Sequence, residues 1–353
     1  MHTNNNYKFI ESADETARLI NDKANLLYQR LFNFDISTVD IDEFGKYYFN
    51  NHHAGRRLIF SIQSSADIIY KAVKQYGKPI TETSFMDYGA GLGTLFLLAG
   101  MVGFKKVYFN DYFPQWAEYA KLICSHLEIV IDDYISGDIE AVMTYGKNNN
   151  LQIDIIASRN VVEHIYNLTD FYNKLFQANL TTLCYATTTA NYHNIAMRLK
   201  HYWHHYKVEK KEYREQRRKY ITELVPGISP SDLKQLVKIT RGRAFSDFTD
   251  AVTAYISKKR VAAVELLGTN TCDCKTGVWA EHLITRDKYA SIITEAGFEF
   301  SYTAGFWDTK YKYKIANLIT SILNSIIKNA GATGCRLAPF VNITAIKNNG
   351  NPC

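Results

Sequence analysis

Over the first 80 positions apolar residues recur at helical spacing. Ala17, Ile20, Ala24, Leu27 and Leu31 place a helix over Ser12–Phe32, and Leu58, Ile59, Ile62, Ile68, Ile69 and Val73 place another from about Ala54 to Tyr76. Between them, Phe44–His53 mixes aromatic and polar groups. From 81 to 190 short apolar runs alternate with amphipathic ones. Strands are predicted at Ser84–Tyr88, Lys106–Asn110, Glu128–Ile135, Ile153–Ser158 and Thr182–Thr187. Helices are predicted at Thr94–Val102, near Pro114–Leu127 and from near Val161. Repeated βα units of this length imply a parallel sheet with helices on both faces.

The rhythm breaks over 191–265. A long helix is predicted from about Ile195 to Leu224, on which Trp203, Tyr206, Lys210, Tyr213, Arg217 and Tyr220 form an aromatic-basic stripe. Ser229-Pro230-Ser231-Asp232 is a helix start, with a cap, a first-turn proline and an acid near the positive helix end. A further helix covers Asp247–Ile256. The alternation resumes from 266. Thr285 caps a helix ending at Gly297, Phe298–Thr303 is a strand, Lys314–Ile327 an amphipathic helix and Pro339–Ile346 a final strand.

Composition narrows the class. A chain of 353 residues suits one α/β core with added helical segments. The net charge of +6 is mild, and nine Lys/Arg against three Glu between Arg198 and Lys219 account for all of it. Such a stripe would steer an anionic acceptor or form a solvated helix face. The six cysteines (Cys124, Cys184, Cys272, Cys274, Cys335, Cys353) show no disulfide framework. Cys272-x-Cys274 with His282 fits no standard zinc spacing, so no metal is expected. The polar first residues and the lack of a long apolar run point to a cytoplasmic protein with no membrane partner.

The chemistry concentrates in Phe85-Met86-Asp87-Tyr88-Gly89-Ala90-Gly91-Leu92-Gly93-Thr94. A strand ends in three alternate glycines and turns straight into a helix. Bare backbone at a helix N-terminus admits a nucleotide-type ligand. The dinucleotide pattern would need glycine at position 94, which is Thr94. The spacing Asp-x-Gly-x-Gly-x-Gly resembles that of the class I (Rossmann-like) S-adenosylmethionine-dependent methyltransferases. A tight turn without ligand is the plain alternative.

Further segments carry the resemblance. Asp111 ends the second strand, where an acid accepts ribose hydroxyls, in nicotinamide enzymes too. In similar methyltransferases the residues matching Asp138 and Ile139 hold the adenine. Asp154–Ile165 resembles the family's fourth-strand segment, with Asn160-x-x-Glu163-His164-Ile165 opening a helix, as in many enzymes of small molecules. The resemblance implies S-adenosyl-L-methionine as cofactor, S-adenosyl-L-homocysteine as product, and a doubly wound, mostly parallel seven-stranded sheet whose last strand is antiparallel. It assigns cofactor binding to Asp87, Gly89, Ala90, Gly91, Gly93, Asp111, Tyr112, Asp138, Ile139 and Asn160. Glu163, Glu281 and His282 are candidates to border a substrate. His164 is the first candidate base and His193 the second; each could equally be structural. His52-His53 could belong to a lid or be packed.

The expected division is a helical cap over 1–80, the cofactor core over 81–190, a helical insertion capping the substrate over 191–280, and a return to the sheet over 281–353. The expected activity is methyl transfer to oxygen or nitrogen of a small-molecule acceptor. An RNA or protein methyltransferase docking through the 198–219 helix is the alternative, although the Asn/Asp-Pro-Pro-Tyr/Phe segment of many nucleic-acid enzymes is replaced by Ser158-Arg159-Asn160-Val161. A non-catalytic binding or scaffold protein is the alternative of another class.

Overall fold

A computed structural model describes residues 6–258, 260–261 and 271–347. Residues 1–5, among the polar first residues, and Cys353 lie outside the described residues. The chain opens with α1 (Glu15–Phe32), α2 (Glu43–His53) and α3 (Arg56–Tyr76). Asp14 caps α1 through the Ala17 amide and Asp42 caps α2 through the Gly45 amide. The aromatic-polar stretch is therefore a helix, started by an acid cap.

The core follows as β1 (Ser84–Tyr88), α4 (Leu95–Val102), β2 (Lys106–Asp111), α5 (Pro114–Leu127), β3 (Asp133–Ser136), α6 (Ile139–Asn148), β4 (Ile153–Arg159), α7 (Leu168–Gln177) and β5 (Thr181–Thr188). Next come α8 (Ile195–Val208) and α9 (Arg214–Leu224), joined without a break by one π turn over Glu209–Tyr213. Then come α10 (Pro230–Ile239), α11 (Phe245–Ile256), α12 (Arg286–Glu295), β6 (Glu299–Ala304), α13 (Lys314–Asn329) and β7 (Val341–Ile346).

The seven strands form one sheet in the order β3-β2-β1-β4-β5-β7-β6. The first five are parallel, and β7 runs antiparallel to both β5 and β6. This is the doubly wound, mostly parallel seven-stranded sheet expected from the sequence. Phe85, Phe109, Ile155 and Leu183 pack on one side with α1, α3, α4 and α5. Met86, Tyr108, Ile156 and Cys184 pack on the other with α6, α7 and α12. That alternation follows from the two-residue period of a strand buried on both faces. A separate small core joins Ile221, Leu236, Phe248 and Val252 of α9–α11.

Two expected elements differ. The run Glu128–Ile135 is a strand only from Asp133, because Glu128 takes φ +52° to end α5 and Ile129 and Ile131 pack against Gly100 instead. No α-helix begins at Val161. Val162–His164 forms a single 3-10 turn, and α7 starts only after Asn167, whose side chain caps the Asp170 amide. Among the described residues no helix is long and apolar enough to cross a membrane.

Candidate active site

The sheet order reverses between β1 and β4. Ligands of doubly wound sheets lie at this switch point, outside the C-terminal strand ends. A cavity of about 660 Å³ occupies it. The Gly89–Thr94 turn forms its floor. Gly89 and Gly91 adopt φ +68° and +49°, in the left-handed region where a Cβ is costly. A Cβ at Gly89 would come within 2.7 Å of the Val161 methyls, and one at Gly91 would face the Tyr48 hydroxyl at 3.4 Å. The turn is closed by one bond of its own, Gly93 N–H donating to Ala90 O at 3.0 Å, and tied to β2 by Ala90 N–H donating to Asn110 O at 2.9 Å.

Asp111 is only 8% exposed, yet it lines the cavity. One carboxylate oxygen accepts the Gly91 amide at 2.9 Å and the other the Phe113 amide at 3.1 Å. Burial pushes its carboxyl up, and these amide bonds oppose the rise. Asp138 caps α6 with one oxygen, accepting from the Glu140 and Ala141 amides, while Ile139 is buried beside it. Asn160 holds φ +57°, and its side-chain oxygen accepts the Thr189 amide at 3.1 Å. Gly89, Gly91, Asp111, Tyr112, Asp138, Ile139, Asn160 and His164 all line the cavity.

Asp87, Ala90 and Gly93 do not line it; Asp87 supports the loop from behind. Asp87 accepts the Phe96 amide at 2.9 Å, fixing the start of α4. Its burial raises the carboxyl to about 8, against the pull of Arg159. The Arg159 Nη1 donates to the backbone oxygen and the hydroxyl of Ser61, each at 2.8 Å. Thr94 Oγ1 lies 2.9 Å from Ser61 Oγ and 2.8 Å from Ser65 Oγ. His53 is no lid residue. It is buried, stacks on Phe49, and its Nε2 donates to the Leu92 carbonyl at 2.7 Å, bracing the glycine turn.

The walls are aromatic. Tyr48 of α2 lies 4.6 Å from Trp116 of α5, ring to ring. Opposite, Tyr166 stacks on Trp279 at 5.4 Å, and its hydroxyl donates to Asp247 at 2.7 Å. The segments Ala244–Asp247 and Thr276–Val278 complete the lining. His164 Nδ1 lies 2.7 Å from the Trp279 carbonyl, an acceptor only, so Nδ1 carries the proton and donates.

The structure does not bring Glu163, His193, Glu281 or His282 into the cavity lining. Glu163 is fully buried, burial pushes its carboxyl up, and neither oxygen has a partner at hydrogen-bond geometry. His193 Nε2 accepts the Arg286 amide at 3.2 Å. His282 stacks on Trp279. Glu281, in the left-handed region at φ +60°, is gripped from α8: His201 contacts its carboxylate, and His205 Nε2 donates to its carbonyl at 2.9 Å. His201 Nε2 in turn donates to the Thr189 carbonyl at 2.9 Å, one peptide from the group that Asn160 holds.

The buried pair His201 and His205, four residues apart on one face of α8, is absent from the expected site. Arg217 breaks the expected basic stripe, being buried in an ion pair with Glu209 inside the π turn. Cys272 and Cys274 are buried, and among the described residues no cluster of three His, Cys, Asp or Glu could hold a metal.

No known family model matches the chain, and no curated protein matches it. Solved structures give remote likenesses. A magnesium protoporphyrin IX methyltransferase from Synechocystis PCC 6803, with bound S-adenosylhomocysteine, is 10% identical over 92% of this chain and 93% of its own, at a TM-score of 0.37. An S-adenosylmethionine-dependent methyltransferase from Mesorhizobium loti is 10% identical over 79% and 98%, also at 0.37. Another from Clostridium acetobutylicum is 16% identical over 42% and 58%, at 0.33.

Proposed function

We propose that the protein is an S-adenosylmethionine-dependent methyltransferase acting on an oxygen or nitrogen atom of a small molecule. Asp111 carries the reading. It is a mostly buried carboxylate in the cavity wall, tied to the amide of the bare glycine turn. Each oxygen has one amide donor, which leaves acceptor capacity for a pair of vicinal hydroxyls. The cradle fits a nucleoside cofactor: a Cβ at Gly91 would fill the space up to the Tyr48 hydroxyl in the cavity lining, and Ile139 and Asp138 offer an apolar face beside a polar acceptor. The glycine spacing after Asp87 and the reversed last strand favour a sulfonium nucleoside over a nicotinamide dinucleotide.

When bound, this cofactor supplies an activated methyl group. The chain then has to orient an acceptor and, for a hydroxyl, receive its proton. His164 is the base: Nδ1 is committed to the Trp279 carbonyl, so in the neutral ring Nε2 holds the lone pair. Tyr48 and Trp116 on one side, and Tyr166, Phe245 and Asp247 on the other, would enclose the acceptor. In this reading the helices of 1–80 and 191–280 act as caps. A docking role for RNA along 198–219 has less support, because Arg217 is spent internally on Glu209.

Titration calorimetry with S-adenosylmethionine, S-adenosylhomocysteine and NAD tests the reading. Heat with the first two and none with NAD is expected. No heat with either sulfur nucleoside, or binding of NAD instead, overturns it. Labelled methyl transfer into fractionated small-molecule extract would then identify the acceptor.

A further inference from the structure

The helix α13 is tied down partly by polar groups and leaves most of its apolar ones outside. Asn317 and Asn324 face the body: the Asn324 side chain accepts from Trp307 N–H at 2.7 Å and donates to Trp307 O at 2.8 Å, and Asn317 makes the same pair with Tyr311 at 2.6 and 2.9 Å. Five of its large aliphatic side chains point away, while Ile327 is buried. Ile315, Leu318, Ile319, Ile322 and Ile326 are 73, 62, 58, 54 and 49% exposed. Spaced three and four apart, they form one continuous stripe. Single exposed apolar residues are ordinary, but a full-length stripe on one helix marks a contact surface.

A second helix repeats the pattern. Ile195, Leu199, Trp203 and Tyr206 of α8 lie on one face and are all more than half exposed. The two helices meet through one loop: Asn191 and Asn194, at the start of α8, donate to the carbonyls of Cys335 and Ala338, just beyond α13. Both follow strands that finish at the same end of the sheet, because Thr188 and Ala304 each sit opposite Val341 in the ladder. The C-terminal ends of β1 and β4, and with them the cavity, lie at that same end.

Charge selects the occupant. Residues 309–329 contain Lys310, Lys312, Lys314 and Lys328 and no acid, and residues 195–208 contain Arg198, Lys200 and Lys207 and no acid. A second copy of the chain would set lysine against lysine in either orientation. An anionic lipid surface complements both features, taking aliphatic and Trp/Tyr side chains into the headgroup boundary while basic residues meet the phosphates. We propose that the protein docks peripherally on anionic bilayers through the outward faces of α13 and α8. The expectation of no membrane partner was based on the lack of a spanning run, which does not bear on a helix lying in the interface.

Co-sedimentation of the full chain with vesicles tests this. Vesicles of phosphatidylcholine with about a third phosphatidylserine should pull the protein down, phosphatidylcholine alone should do so poorly, and added salt should weaken binding. Ile319→Gln/Ile322→Gln keeps every charge and touches only exposed positions. It should lower vesicle partitioning about tenfold with the unfolding midpoint unchanged. The proposal is overturned if the wild type stays in the supernatant at low salt, or if the double variant binds as well as the wild type. It is equally overturned if the variant instead splits a dimer that ignores vesicles, since a second copy would then be the occupant.

Discussion

His164 and Trp279 are tied twice: the imidazole Nδ1 donates to the Trp279 carbonyl at 2.7 Å, and the Trp279 amide donates to the His164 carbonyl at 3.1 Å. The indole of Trp279 stacks on Tyr166 and on His282. A ring held at one nitrogen by a fixed carbonyl has one orientation and one tautomer, the condition for a base that must meet an acceptor proton.

Replacing that ring should separate binding from chemistry. His164→Ala should retain cofactor affinity, because the glycine turn and Asp111 lie on other strands, while turnover falls by about a hundredfold or more. Calorimetry reads the first quantity and labelled methyl transfer the second. A folded variant with wild-type turnover would remove His164 from the mechanism.

Asp111→Ala should act on the opposite quantity. Losing a charged acceptor costs about 1.5–3 kcal/mol per hydrogen bond made to it, so affinity for the nucleoside should fall about ten- to a hundredfold. Turnover at saturating cofactor should change much less. An unchanged dissociation constant in calorimetry would mean that the ribose is held elsewhere.

How much of this was legible beforehand divides by locality. The turn from Asp87 to Thr94 and the ends of β2 and β4 are written in contiguous residues, and the strand positions, except the start of β3, followed from short apolar runs. What escaped depended on distant contacts. Tyr48 reaches the cavity only because α2 packs beside α5. Arg159, adjacent to the predicted Asn160, points back toward Ser61 of α3 rather than into the cavity. The Asn160–His164 segment failed as an α-helix because Asn160 takes a left-handed conformation and Asn167 supplies a better cap further on. His201 and His205 lie on the helix read only for its aromatic-basic stripe, and the return of the chain at Glu281, distant in sequence, gives them their partner.

That buried pair gives a pH signature. Burial lowers the His205 imidazole to about 4, from an ordinary 6.5. The unfolded chain therefore takes up a proton at mildly acidic pH that the folded chain refuses. Stability from this group is present above about 6.5 and is lost as pH falls toward 4. His205→Gln retains a donor for the Glu281 carbonyl but cannot titrate. Between pH 7.5 and 5 the variant should lose up to about 2 kcal/mol less stability than the wild type in urea unfolding. Parallel losses would show that His205 is not buried neutral.

Arg159 and Asp87 offer the sharpest test of the loop's support. Arg159 donates to both oxygens of Ser61, and its charge opposes the burial that raises the Asp87 carboxyl to about 8. Breaking a buried, directly paired ion pair commonly costs about 3–5 kcal/mol, because the other member is stranded. Asp87 is buried, but Arg159 is only partly so and acts on it through charge without a direct bond. Asp87 has an escape: it can keep its proton, so Arg159→Met should cost less than that at neutral pH. The signs follow from the raised carboxyl. The folded chain holds a proton that the unfolded chain releases near 4, so this contribution is present at low pH and lost as pH rises through about 8. Without Arg159 the carboxyl rises further, and the loss of stability should continue above pH 8, where the wild-type contribution has levelled off. Adding Asp87→Asn to Arg159→Met should abolish that extra slope and recover part of the stability, an interaction measurable as a double-mutant cycle. If unfolding of the single and double variants shows the same pH dependence, the two side chains are not coupled and the glycine turn is supported by hydrogen bonds alone.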